Sequence, residues 1–168
     1  MTTLVMLPGL DGTEVTATIL CASFVTAPHP GLIPFRGVLR SPLVAVVRAI
    51  RRSRLLIPGY ASKELRQAKA RTWRRVGSTA LAARSRAVLQ VDARPQLQSC
   101  RAPLLYLVST HDEVVGRSSL DQIRTLAPQA RVEQIEGKHL ALFTHPRTAA
   151  ASITGFLSGR DETCGAPA

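Results

Sequence analysis

Three cysteines, Cys21, Cys100 and Cys164, are scattered through 168 residues with no Cys-x-x-Cys pair. An odd, dispersed set argues against a disulfide framework and against a zinc site, and leaves reduced thiols. Neither metal nor cofactor is expected. Aromatic residues make up only 4% of the chain, so any core must rest on Leu, Val, Ile and Ala. No apolar run approaches the roughly 18 residues of a membrane span. The opening residues Met1 to Leu10 lack a basic region and are interrupted by Pro8-Gly9, which is not the pattern of a secretory leader. The expected compartment is the cytoplasm. Acidic residues are also few, 11 against 22 Lys and Arg, for a formal charge of +11.

What is present is enough for one globular domain: 45% hydrophobic residues in a chain long enough to bury a core. Most of the basic residues lie between Arg36 and Arg101, where only Glu64 and Asp92 oppose them. A field of that sign attracts nucleic acid, an anionic membrane surface or an acidic substrate. The same composition suits charges lining solvated helix faces, and no basic-aromatic motif accompanies it.

The pattern along the chain predicts alternating strands and helices. Leu4–Leu7 is a short apolar run stopped by Pro8 and Gly9, and Thr18–Val25 is a second, closed by Pro28 and Pro30. Pro42 and Pro58-Gly59 divide the Arg-rich middle into several short helical pieces. After Pro103 the order becomes regular. Leu104–Val108 reads as a buried strand, Arg117–Leu126 as a helix, Val132–Ile135 as a strand, and Pro146–Leu157 as a helix with proline at its start. Strand, helix, strand, helix at these loop lengths predicts an α/β fold with a parallel sheet.

In such a sheet, functional groups gather at the carboxyl ends of the strands. Asp112 falls just past the 104–108 strand and His139 just past the 132–135 strand. On neighbouring strands the two can meet, the carboxylate accepting an imidazole N–H and leaving the other ring nitrogen as a general base. Taken singly, Asp112 also suits a turn or a helix cap, and His139 an ordinary loop. His111 and His145 are read as structural or exposed.

The segments Leu4–Glu14, Pro103–Val115 and Glu136–Pro146 resemble the α/β-hydrolase superfamily, in particular its serine hydrolases. The resemblance implies a reduced α/β-hydrolase-like fold, a mostly parallel sheet of about four strands with an inserted helical cap. Residues 1–25 and 102–158 would form the core, residues 26–101 the Arg-rich cap, and 159–168 a flexible tail. It further implies Asp112 as catalytic acid, His139 as catalytic base, and Gly9, Leu10 and Asp11 as the oxyanion loop. The substrate would be a small ester or acyl compound.

One part of that pattern is missing. The nucleophile elbow, Gly-x-Ser-x-Gly, lifts its serine above the sheet on a sharp strand-to-helix turn, and the chain contains no such sequence. Ser109 precedes the acid loop, Ser78, Ser118 and Ser119 have helical surroundings, and Ser23, within or at the end of the second apolar run, is the weak remaining candidate. A crossover between parallel neighbours needs at least ~10–12 residues, more than Thr13 to Ala17 supply. Asp11-Gly12 is instead a turn signal for an antiparallel hairpin, although the connection also suits a loop closing a gap between distant strands. The expectation is a truncated hydrolase-like chain, inactive or weakly active, with incompletely covered sheet faces that favour self-association. The alternatives are an Arg-rich module for anionic polymers or membranes, and an active serine hydrolase completed by another chain.

Overall fold

The computed structural model describes residues 3–8, 15–31, 33–34, 62–75 and 78–161. Among these residues four strands form one sheet in the order of the chain: β1 (Thr3–Pro8), β2 (Val15–Cys21), β3 (Leu104–Ser109) and β4 (Arg131–Ile135). β2, β3 and β4 run parallel. β1 runs antiparallel to β2, pairing Thr3 with Cys21 and Pro8 with Val15 across an irregularity at Leu7/Pro8. The short connection thus makes a hairpin, because too little chain is present to carry a strand back to the same end of the sheet. Its turn, with Gly9, Leu10 and Asp11, lies outside the described residues.

β2 ends at Cys21, earlier than the apolar run to Val25 predicts. The physical reason is Ala22, whose φ of 45° turns the chain out of the sheet. Its N–H still reaches the Leu107 carbonyl at 3.1 Å, so the departure begins against β3.

Six helices accompany the strands among the described residues: α1 (Lys63–Arg75), α2 (Ser78–Val88), α3 (Arg94–Gln98), α4 (Arg117–Leu126), α5 (Ala141–Thr144) and α6 (Pro146–Asp161). The Ser62 hydroxyl accepts the Leu65 N–H at 3.2 Å and so caps α1. Pro146 occupies the first position of α6, where its missing N–H costs nothing. That helix continues to Asp161, past residue 158, where the core is expected to end. Lys63, Arg71, Arg74 and Arg75 of α1 are exposed, as charged residues on a solvated helix face.

The pleat of β3 divides the core into two layers. Leu105 and Leu107 join Ile19, Cys21, Ile135, Ala149 and Phe156 on the face covered by α6. Leu104 and Tyr106 join Val25, Leu97, Ile123 and Ala127 on the face covered by α3 and α4. Helices on both faces explain why β3 is apolar from Leu104 to Val108 and does not alternate with polar residues there. Leu97 belongs to the core, although sequence composition groups it with the basic middle. An antiparallel bridge between Thr26 and Asp92 and a 2.7 Å bond from the Ala93 N–H to the Val25 carbonyl hold this part of the chain to the end of β2. Among the described residues Phe143 is the large apolar side chain standing in solvent, at 60% exposure.

Candidate acid–base site

The carboxyl ends of β3 and β4 lie side by side, with Ser109 paired to Ile135 in the last rung. From β3 the chain passes through Thr110 and His111 to Asp112. There one carboxylate oxygen, Oδ1, accepts the N–H groups of Val114 at 2.8 Å and Val115 at 2.9 Å. An aspartate that binds backbone amides two and three residues ahead holds its own loop in a tight turn, which fixes the direction of the second oxygen. That oxygen, Oδ2, stands 3.0 Å from Nδ1 of His139.

His139 arrives on the loop after β4, and its side chain is 1% exposed against 4% for Asp112. Burial strengthens the contact and makes it unforgiving, since neither group can turn to water when the other is lost. Outside this pair, Lys138 Nζ approaches Glu113 Oε1 at 3.2 Å and links the same two loops at the surface.

Two further polar groups lie near the carboxylate. Burial pushes the Cys21 thiol from 9.0 up to about 11, and the charge of Asp112 adds to the rise. Burial also raises Tyr106, again with a contribution from Asp112. The Tyr106 hydroxyl donates to the Ser23 carbonyl at 3.0 Å. This link between β3 and the segment after β2 was not foreseen from sequence; its only signal was one tyrosine within an aliphatic run.

The raised thiol has a consequence for alkaline stability. Between about pH 9 and 11 the unfolded chain releases the Cys21 proton while the folded chain retains it. The unfolded state then binds fewer protons, so stability falls as pH rises through this window and is unaffected by this group below it. Urea unfolding at stepped pH is expected to show a loss of about 2 kcal/mol from Cys21. The Cys21→Ala variant is expected to have a shallower slope there, and an unchanged slope would contradict the assignment.

The serines are placed differently from the pair. Ser23 is buried, and its hydroxyl donates to the Cys21 carbonyl at 3.1 Å. Ser109 is buried, and its hydroxyl has no hydrogen-bond partner among the described residues. His111 is exposed, and His145 is half-buried with its Nδ1 3.0 Å from the Thr144 hydroxyl. Gly9, Leu10 and Asp11 lie outside the described residues. Among those residues no cluster of three His, Cys, Asp or Glu side chains is arranged to hold a metal, and no helix is long and apolar enough to cross a membrane.

Three parallel strands flanked by helices on both faces, with one antiparallel strand at the edge, form a reduced α/β-hydrolase-like fold. Solved structures bear this out. A hydrolase from Pseudomonas aeruginosa superimposes with a TM-score of 0.67 at 19% identity, covering 83% of this chain and 54% of that one. A bromoperoxidase from Bacillus anthracis gives 0.68 at 16%, covering 89% of this chain and 60% of that one. MenH from S. aureus gives 0.68 at 15%, covering 88% and 60%. The chain therefore spans between 54% and 60% of the length of these structures. No family model and no curated protein matches the sequence.

Proposed function

We propose that this protein keeps the acid and base of a serine hydrolase, Asp112 and His139, without a serine nucleophile, and that it hydrolyses esters weakly or not at all. The observation that carries the reading is the buried 3.0 Å contact between Asp112 Oδ2 and His139 Nδ1 in a chain that contains no Gly-x-Ser-x-Gly. The carboxylate accepts the Nδ1 proton and fixes the tautomer in which Nε2 is the basic nitrogen. A serine hydrolase places a hydroxyl within hydrogen-bond reach of that nitrogen and forms an acyl-enzyme.

Here the Ser23 hydroxyl is directed to its own segment, toward the Cys21 carbonyl. Its neighbour Cys21 is no substitute, because burial holds the thiol protonated at neutral pH. What remains available to Asp112 and His139 is general-base assistance to water, which forms no covalent intermediate. An ester or acyl compound remains the substrate class that suits the fold, as an expectation from the hydrolase likeness.

The test is covalent labelling. Incubation with an excess of a fluorophosphonate, followed by intact-mass analysis, is expected to leave the protein without an adduct. Hydrolysis of 4-nitrophenyl acetate is expected to remain within about tenfold of the buffer rate, far below the ~10³–10⁴-fold that an otherwise intact site retains without one triad member. An adduct on a single serine, with Ser23 the first to map, would overturn the reading.

A further inference from the structure

We propose that Thr110 is a positioning residue for the Asp112–His139 pair, its hydroxyl clasping the two loops through the Gly137 amide. The inference rests on reading those two residues as an acid–base pair.

The loops that carry Asp112 and His139 continue beyond the last rung of the β3–β4 ladder, but in a changed register. The ladder pairs Ser109 with Ile135. One residue further along β3, the Gly137 N–H donates to the Thr110 hydroxyl at 3.3 Å. The Thr110 N–H still reaches the Ile135 carbonyl at 3.1 Å, which keeps Thr110 opposite Glu136, but the next bond to the Gly137 carbonyl comes from His111, one residue earlier than a continued parallel ladder gives. An extra residue therefore enters on the β4 side at Gly137, and the chain must absorb it. Gly137 does so with a φ of +136°, a conformation L side chains rarely adopt. A Cβ there would stand 3.3 Å from Nδ1 of His145, so the position is also closed on its outer side.

Gly137 is held from both of its polar groups by the β3 side. Its N–H goes to the Thr110 hydroxyl, and its carbonyl accepts the His111 N–H at 2.9 Å. The new register then leads to the pair itself. It sets Asp112 against His139, 27 residues further along the chain. Two residues beyond the clasp on each loop, the carboxylate and the imidazole meet. The His111 bond is made by backbone and is available to any sequence, whereas the bond to Gly137 N–H requires a hydroxyl at position 110. The nearby Lys138–Glu113 pair joins the same loops but is partly exposed, and such pairs hold geometry weakly.

The experiment reads the pair by proton NMR, through the His139 Nδ1–H resonance and its exchange with solvent. In Thr110→Val the side chain keeps its size but accepts no hydrogen bond. The resonance is expected to shift upfield, with solvent exchange at least about tenfold faster. Thr110→Ser restores the hydroxyl and is expected to restore both readings, and Glu113→Gln is expected to leave them unchanged. A Thr110→Val spectrum identical to that of the unmodified protein would overturn the clasp. The unmodified protein supplies an independent measure, since slow exchange of the Gly137 amide is expected and fast exchange would also overturn it. Failure of the acid–base reading looks different: His139 in the unmodified protein would then show no Nδ1–H resonance sensitive to Asp112→Asn.

Discussion

Truncation of Leu105 to alanine is expected to lower the free energy of unfolding by about 3–5 kcal/mol. Leu105 lies on β3, the strand paired to β2 on one side and β4 on the other, and it is 0% exposed. Its side chain belongs to the layer formed with Ile19, Cys21, Leu107, Ile135 and Phe156. Removing it withdraws buried methyl groups and leaves a cavity among strands whose spacing is set by ladder hydrogen bonds. A site that cannot collapse incurs the upper part of that cost. With total stability of ordinary domains at about 5–15 kcal/mol, the variant retains little margin. Val132→Ala serves as the comparison, since Val132 is half-buried on the neighbouring strand and its truncation removes less covered surface. Urea unfolding should show a large fall in midpoint for Leu105→Ala with the slope preserved. A loss below about 1 kcal/mol would mean that the layer between sheet and α6 is not closely packed.

Replacing Asp112 by alanine is the second large effect, with an expected cost of about 2–4 kcal/mol. Three donors lose their acceptor together: the Val114 and Val115 amides and His139 Nδ1. The imidazole is 1% exposed and finds no ready replacement in water. Asparagine separates the contributions. Its carbonyl oxygen can serve the two amides, while its NH2 confronts His139 Nδ1 and demands the other tautomer. Asp112→Asn is therefore expected to cost about 1–2 kcal/mol, less than alanine. Equal losses for the two variants would show that the amide bonds contribute little and that the histidine contact dominates. A change within about 0.5 kcal/mol for alanine, the range of an ordinary surface substitution, would contradict the buried geometry.

The two effects differ in how visible their residues are before folding. Leu105 is legible because five apolar residues in succession, Leu104 to Val108, require a strand covered on both faces. Asp112 and His139 are legible as positions, each one loop beyond such a strand. Their separation is not, because it depends on the extra residue at Gly137 and on its positive φ. The early end of β2 is equally hidden: Ala22 has no sequence mark of a left-handed residue, and only the surrounding contacts hold it there. Leu97 is hidden for the opposite reason, as a core residue enclosed in polar and basic sequence.

Local composition and spacing determined the strands at Leu4–Leu7, Leu104–Val108 and Val132–Ile135 and the helices at Arg117–Leu126 and from Pro146, that the β1–β2 connection is too short for a parallel crossover, and that the sequence contains no Gly-x-Ser-x-Gly. These are properties of short stretches of chain, set by backbone reach, side-chain polarity and turn chemistry. The Tyr106–Ser23 link and the meeting of Asp112 with His139 were decided only by tertiary structure. They join residues as much as 83 positions apart, and such contacts depend on how the two buried layers close around the sheet, which no local pattern specifies.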